Sequence, residues 1–167
     1  MFQSTKQKRI SRVVFFVYFI LLTWLVLFKF ATSISELPRI RGINFIPFHY
    51  AQETSTPLKE VLYNVIIFVP LGVYVQIFKY KWNMMKKIMV ILLSSVLFES
   101  IQYAFAIGAS DITDLIGNTM GGIIGIYLCM LLRKIAPKKC VSVINVLGIM
   151  VEMVGVGLLL LLLLANR

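Results

Sequence analysis

Charged residues are scarce in this chain, and their scarcity limits the classes of protein it can be. Only 14% of the 167 residues are charged, whereas 59% are hydrophobic. A soluble domain is typically about half apolar and about one quarter charged, because polar residues must cover its surface. So few polar groups exclude a soluble enzyme. They also exclude a nucleic-acid-binding interpretation of the net charge of +10.

Cysteine and histidine are also scarce, which leaves little material for metal or redox chemistry. The two cysteines, Cys129 and Cys140, show no CxxC pattern and no metal-ligand spacing. A disulfide between them is disfavoured because Cys140 would face the reducing cytoplasm in the topology derived below. The single histidine, His49, could share a metal with Glu53, but a lone histidine beside aromatic residues is more typical of an interfacial loop. We therefore expect neither a metal nor a cofactor.

The abundant hydrophobic residues fall into five long runs. A helix needs roughly 20 apolar residues to cross a bilayer, and the runs are close to that length. They cover residues 13–28, 61–78, 88–107, 115–132 and 141–164. We predict an all-α, polytopic bundle of about five transmembrane helices. The first run could instead belong to a signal peptide, but its apolar core is long for that role and Lys29 interrupts the approach to any cleavage site.

The basic residues predict how the bundle is oriented. Four lie in each of three segments on the same side, which makes twelve of the 17. They are Lys6, Lys8, Arg9 and Arg12 in the tail 1–12, Lys79, Lys81, Lys86 and Lys87 after the second run, and Arg133, Lys134, Lys138 and Lys139 after the fourth. Because Lys and Arg are retained in cytoplasmic loops, we place the N-terminus in the cytoplasm and the C-terminus outside.

The longest connection, residues 31–60, is external in this topology. It contains Pro38, Pro47 and Pro57, and the apolar patch 44–50 includes Phe48 and Tyr50. Aromatic rings with a polar edge favour the membrane–water interface. We therefore expect this patch to lie on the outer leaflet or to dip into it.

Polar side chains inside the runs are costly in a membrane and usually indicate function, pairing or a water-filled cavity. Glu99 lies about 12 Å inward from residue 107 at 1.5 Å per residue, and Gln102 shares its helix face. The spacing of Asp111, Asp114 and Asn118 predicts one further stripe. With Glu60 and Asn64, these groups converge on the outer leaflet, so we predict a functional polar cluster there. Its members are Asn64, Glu99, Gln102, Asp111, Asp114 and Asn118.

Several of these polar residues also have structural interpretations. Asp111 and Asp114 follow Ser110 at the start of a run, where carboxylates stabilise a helix N-terminus. Asn64 and Asn118 could be interhelical hydrogen-bonding groups. Glu152, in the fifth run, has no polar neighbour at helical spacing and could be a packing residue or pair with another span.

Small residues and a proline predict how the spans pack. Gly117, Gly121 and Gly125 repeat every fourth residue, which lets another helix approach closely. We expect the second and third spans to pack against this glycine face, and a homo-oligomer through the same face is a further possibility. Pro70, before Gly72, should kink the second span and free a carbonyl group.

Four motifs in this order resemble the VanZ-like family. They are Asn44-Phe45-Ile46-Pro47-Phe48, the segment from Asn64 through Pro70 to Gly72, Glu99-x-x-Gln102, and the segment from Asp111 through Asp114 and Asn118 to Gly121 and Gly125. The resemblance implies a membrane domain over residues 13–132, with 141–164 as an additional C-terminal transmembrane helix. It also implies a bacterial plasma-membrane protein associated with resistance to teicoplanin-type glycopeptides. Many members carry an Arg just before the first Asp of the fourth motif, whereas this chain has Ser110.

Three functions remain open at this point. The preferred one is a non-enzymatic membrane protein whose outer-leaflet cluster contacts a lipid-linked cell-wall precursor or a lipoglycopeptide. The second is an intramembrane enzyme in which Glu99, Asp111 and Asp114 act as acid and base on such a precursor. The third is a small transporter that uses Glu99 and Glu152 as proton-linked carboxylates. Besides these ligands, we expect the lipid bilayer as a partner and no nucleic acid.

Overall fold

Five helices and two short strands make up the part of the chain that the structure, a computed structural model, describes: residues 5–28, 40–48 and 57–165. The helices are α1 (Thr5–Phe28), α2 (Pro57–Phe78), α3 (Met84–Phe105), α4 (Ile112–Ile135) and α5 (Cys140–Ala165), and the strands are β1 (Ile40–Asn44) and β2 (Ile107–Asp111). Each of the five helices is long and apolar enough to cross a membrane. The predicted transmembrane helical bundle is therefore confirmed, while its orientation stays a prediction.

The helices differ from the predicted runs mainly at their ends. The segment treated as a tail is helical from Thr5 onwards, so its basic residues lie on the first turns of α1. The third run extends to residue 107, whereas α3 ends at Phe105. Ala106 adopts a left-handed conformation (φ 56°), and its N–H donates to the carbonyl oxygens of Gln102 and Tyr103. This turn closes the helix and directs the chain into β2.

The two strands were not predicted. β1 pairs with β2 in parallel, with Ile40 opposite Ile107 and Asn44 opposite Asp111. The pair joins the connection after α1 to the short segment between α3 and α4. Part of the predicted external loop is therefore fixed to the end of the bundle where α3 finishes and α4 begins. His49, Tyr50 and Glu53 lie outside the described residues.

The glycine face of α4 packs against α2. A Cβ atom at Gly121 would overlap the carbonyl oxygen of Val65, and one at Gly125 would overlap that of Val69. On α2, a Cβ at Gly72 would overlap the carbonyl oxygen of Gly122. The two backbones therefore touch, as expected from the spacing of these glycines. α2 of the same chain therefore occupies this face, while the possible homo-oligomer through it stays a prediction.

A tyrosine on α1 supports α2 around its internal proline. The helix continues through Pro70, and the Tyr18 hydroxyl donates to the carbonyl oxygen of Ile67 at 2.8 Å. The same hydroxyl accepts from the Leu71 N–H at 3.1 Å. In a regular helix those two backbone groups would bond to each other. Around this point lies the main core, which includes Tyr18, Leu22, Phe68, Leu71, Phe98 and Ile126.

The basic segments meet at one end of the bundle. The Arg133 guanidinium, near the end of α4, lies 5.3 Å from the centre of the Tyr80 ring in the turn between α2 and α3. At the same end, Ser11 of α1 donates to Asn145 of α5 at 2.9 Å. The ends of α1 and α3 and the beginnings of α2 and α4 therefore lie at the other end, where the predicted polar cluster is found.

Candidate functional site

A cavity of about 320 Å³ lies among α1, α2, α3 and α4, at the end of the bundle opposite the basic segments. It contains five of the six residues of the predicted polar cluster. Its lining consists of Leu25, Val26, Lys59, Glu60, Tyr63, Asn64, Ile67, Glu99, Gln102, Asp114 and Asn118. We call it the outer cavity, after the side on which the predicted topology places it. The grouping means that the polar residues of three helices share one space.

Close packing of α2 and α4 brings the first pair together. A Cβ atom at Gly117 would lie 3.3 Å from the Cβ of Asn64, so α2 and α4 are in close contact beside the cavity. Across this contact the Asn64 amide donates to Asp114 Oδ1 at 2.6 Å. The glycine face therefore sets the position of a carboxylate in the cavity wall.

Gln102 reaches across the cavity to α1 and leaves an acceptor without a partner. Its side-chain nitrogen donates to the carbonyl oxygen of Val26 at 2.8 Å. That carbonyl lies in the last turn of α1, where helix carbonyls have no intrahelical donor. Gln102 is only 2% exposed, yet its Oε1 has no hydrogen-bond partner. Because its nitrogen is held by a carbonyl, the amide cannot rotate, and its oxygen remains available to a ligand.

Asn118 has the same arrangement on α4. It is 1% exposed, its nitrogen donates to Ser95 Oγ at 2.9 Å, and its Oδ1 has no partner. The Ser95 hydroxyl can donate or accept, so Asn118 can present either its oxygen or its amide group to the cavity. A buried polar group without a partner costs about 1–3 kcal/mol. Two such groups in one cavity indicate space for a ligand or water that supplies the missing bonds.

Glu99 lies between the outer cavity and a second one. Its Oε2 accepts from the Asp111 N–H at 3.1 Å, and its own carbonyl accepts from Ser110 Oγ at 2.8 Å. The second cavity measures about 330 Å³. It is lined by Ile43, Asn44, Phe45, Val96, Glu99, Ser100, Tyr103, Ser110, Asp111, Ile112 and Leu115. The carboxylate of Glu99 is therefore held in the wall that the two cavities share.

Asp111 does not join the outer cavity, which corrects the predicted stripe through Asp111, Asp114 and Asn118. It is the N-cap of α4, with extended backbone (φ −122°, ψ 129°). Its Oδ1 accepts from the Thr113 N–H at 2.7 Å, and its Oδ2 accepts from the Asn44 amide at 3.0 Å. Because the residue precedes the helix, helical spacing does not place its side chain on the face of α4. The capping interpretation therefore describes Asp111, while Asp114 faces the cavity.

Two groups that shape the site were not predicted. Ser95 precedes Glu99 by four residues and Gln102 by seven, so it lies on the same face of α3, and that spacing could have identified it. The carbonyl of Val26 could not have been found in this way, because the spacing of side chains does not indicate which backbone carbonyl will accept a hydrogen bond. Both matter, since they hold the two amides whose oxygens lack partners.

The outer cavity combines a polar floor with an apolar wall. Leu25, Val26 and Ile67 supply the wall, while Lys59 and Glu60 at the start of α2 are exposed. Such a lining fits an amphiphile, with its chain against the wall and its polar group near Gln102 and Asn118. In the described part of the chain, no group of three or more His, Cys, Asp or Glu residues could hold a metal ion.

Comparison with known proteins identifies the relatives of this chain. The family model described as VanZ/LLP1 matches residues 15–133, which include every residue that lines the outer cavity. The chain is 39% identical over 147 residues to "Protein VanZ" of Enterococcus faecium, a match that covers 86% of this chain and 88% of that protein. No solved structure matches the chain.

Proposed function

This chain belongs to the VanZ/LLP1 family, and from that premise we propose that it lowers the susceptibility of a bacterial host to teicoplanin-type glycopeptides. In this proposal the outer cavity binds the membrane-embedded part of a lipid-linked cell-wall precursor or of the lipoglycopeptide itself. Binding, without any chemical step, lowers access of the drug to its target. The observation that carries the proposal is the pair of buried amide oxygens without partners in an amphiphilic cavity.

The two amides favour a ligand that is rich in hydrogen-bond donors. Gln102 Oε1 is a fixed acceptor, and Asn118 offers an acceptor or a donor. Sugar hydroxyls and peptide amides carry such donors, and both occur in glycopeptides and in cell-wall precursors. Because a hydrogen bond gained at an otherwise unsatisfied buried group removes a penalty of about 1–3 kcal/mol, each amide can discriminate strongly between ligands.

The two carboxylates support the same assignment through their existing partners. Asp114 is bonded to the Asn64 amide and Glu99 to the backbone of Asp111. These bonds hold both groups in the cavity wall before a ligand arrives, which reduces the entropy lost on binding. Lys59 lines the same cavity and supplies a positive charge for an anionic group. The predicted orientation puts this opening in the leaflet that a drug outside the cell meets first.

Susceptibility assays with site variants test the proposal. We would express the chain in a susceptible Gram-positive host and measure the minimum inhibitory concentrations of teicoplanin and of vancomycin, a glycopeptide without the acyl chain. The wild-type protein should raise the value for teicoplanin more than that for vancomycin. Asn118→Leu and Gln102→Leu should return it towards the vector control, because they remove the amides but keep the bulk.

Glu152→Gln is the matched control, since Glu152 lies outside the outer cavity, and it should behave as the wild type does. Membrane levels of each variant would be compared by immunoblot. Unchanged values for both drugs on expression of the wild-type chain would reject the proposed function. If both amide variants protect the host as well as the wild type does, at normal membrane levels, the outer cavity is rejected as the site of the proposed function.

A second candidate function follows from the presence of two carboxyl groups, Glu99 and Asp114, in one cavity. A pair of acids can act as general acid and general base on a lipid-linked substrate. Purified protein with labelled undecaprenyl-linked precursors should then show turnover, and Glu99→Gln should abolish it. If no precursor is converted, this candidate is removed and the binding function stands alone.

A further inference from the structure

A third cavity, of about 240 Å³, lies in the other half of the bundle, between α1, α2, α4 and α5. Pro70 and Tyr74 of α2 line one side, and Glu152 of α5 lines the other. Three of its lining residues, Leu128, Leu147 and Val151, are about half exposed or more (49%, 54% and 66%), and we call this side its mouth. In a bilayer this mouth faces acyl chains, so molecules reach the cavity from the membrane. We call it the α5 cavity.

Two polar atoms in this apolar space have no hydrogen-bond partner. Tyr74 is only 2% exposed, and its hydroxyl is unpaired. Glu152 Oε1 is buried and also unpaired. Both side chains line the α5 cavity, and no basic residue is among those that line it. An unpaired carboxylate is costly in an apolar medium, so a ligand that carries a positive charge would stabilise it there.

Two aromatic rings in the lining also favour the binding of a cation. Tyr18 and Tyr74 both line the cavity, and their ring centres are 6.4 Å apart. The face of an aromatic ring attracts a cation electrostatically, and more strongly where water is excluded. Gly148 keeps the space open, since a Cβ there would lie 2.8 Å from the Tyr74 hydroxyl. A carboxylate, a hydroxyl oxygen and two rings therefore surround one apolar cavity.

We propose that the α5 cavity is a binding site for lipophilic amines: apolar molecules that carry one cationic nitrogen and enter from the bilayer. The ammonium group donates to Glu152 Oε1 and to the oxygen of Tyr74, while the apolar part fills the space beside Pro70 and Leu147. The site is separate from the outer cavity and does not depend on its function. Five of its thirteen lining residues belong to α5, which lies beyond the residues 15–133 that the family model matches.

Photolabelling tests this site on the full chain in nanodiscs. The probe is a photoreactive medium-chain alkylamine, and the matched probe is the alcohol with the same chain and photoreactive group. Labelled peptides would be mapped by mass spectrometry. We expect the amine to label α2, α4 and α5 around Tyr74, Leu128 and Val151, and to be displaced by unlabelled amine. The alcohol should label these residues far less.

Two variants separate the ionic contact from the fold. Glu152→Gln keeps the size of the side chain and removes the charge, and it should lower labelling at least about tenfold. Glu99→Gln changes the acid of the outer cavity and should leave labelling unchanged. The melting temperature of neither variant should fall below that of the wild type. Equal labelling of wild type and Glu152→Gln, or equal labelling by amine and alcohol, would overturn the proposal. The second result would mean that the cavity takes apolar molecules without regard to their charge.

Discussion

A single hydroxyl group, that of Tyr18, links two helices where one of them contains a proline. Pro70 removes one backbone donor from α2, and the Tyr18 hydroxyl bridges the neighbouring carbonyl of Ile67 and N–H of Leu71. In a bilayer no water is at hand to satisfy such groups. The residue is therefore more than an aromatic side chain in the core, since it completes the hydrogen bonding of a helix to which it does not belong.

Removing that hydroxyl should destabilise the protein measurably. Tyr18→Phe keeps the ring and leaves two buried backbone groups less well satisfied, so we expect a loss of about 1–3 kcal/mol in the free energy of unfolding. The measurement is unfolding in mixed micelles with increasing denaturing detergent. Tyr127→Phe removes a hydroxyl from an exposed ring and should change little. Equal effects of the two variants would contradict the bridging role.

Another residue shows what the family resemblance left open. Where many family members carry an Arg before the first Asp of the fourth motif, this chain has Ser110, whose hydroxyl donates to the carbonyl of Glu99. The serine thus ties β2 to the end of α3 and contributes no charge. Lys59, on α2, is the basic side chain that lines the outer cavity. A positive charge near the cavity therefore comes from α2 and not from β2.

At the scale of elements, the pairing of α2 with α4 depends on backbone contact. Gly121 and Gly125 each face a carbonyl oxygen of α2, so the helices have no side chain between them that could move aside. The same approach positions Asn64 beside Asp114. The shape of the outer cavity and the packing of these helices are consequently set by the same glycines.

A methyl group at this contact should separate the helices. Gly121→Ala would place a Cβ on the carbonyl of Val65, and such overpacking costs about 1–3 kcal/mol or more. Gly157→Ala, on α5, has open space around the new Cβ and should leave stability unchanged or raise it slightly, by up to about 1 kcal/mol. Detergent unfolding of both variants checks this. If the two variants change the free energy of unfolding equally, the effect comes from helix propensity and not from the contact between α2 and α4.

The helices could be predicted from the sequence, whereas the strands could not. A bilayer demands about 20 apolar residues per span, so each helix leaves a long signal. β1 has only five residues, Ile-Arg-Gly-Ile-Asn, and its partner lies 67 residues away, so no local pattern indicates the pair. The absence of a local pattern also explains why only part of the candidate site could be predicted. Spacing on one helix grouped Glu99 with Gln102, but it misplaced Asp111, because a helix cap obeys no helical period.

At the scale of the whole molecule, the bundle has two different ends. One holds the basic segments that surround Arg133 and Tyr80, and the other holds the strands and the outer cavity. The α5 cavity lies towards the basic end. The positive-inside rule then predicts that the outer cavity faces outwards, with the basic end in the cytoplasm.

Cysteine labelling in intact cells tests that orientation. Phe45, which lines the second cavity, is 75% exposed, and Lys138 is exposed in the turn before α5. A membrane-impermeant maleimide should label Phe45→Cys in intact cells and Lys138→Cys only after permeabilisation. The wild-type chain is the control, because its two thiols, Cys129 and Cys140, are free but buried and should react little. The opposite pattern would invert the assigned topology.

The strand pair has a consequence for the order in which the protein can be made. β1 leaves the ribosome 67 residues ahead of its partner, which at about 5–20 residues per second means a delay of about 3–13 s. During that interval α2 and α3 must enter the membrane while β1 waits unpaired. The pairing can therefore form only after the third span is in place. It holds the two strands beside the second cavity, which residues of both strands line, and it can form before α4 and α5 are complete.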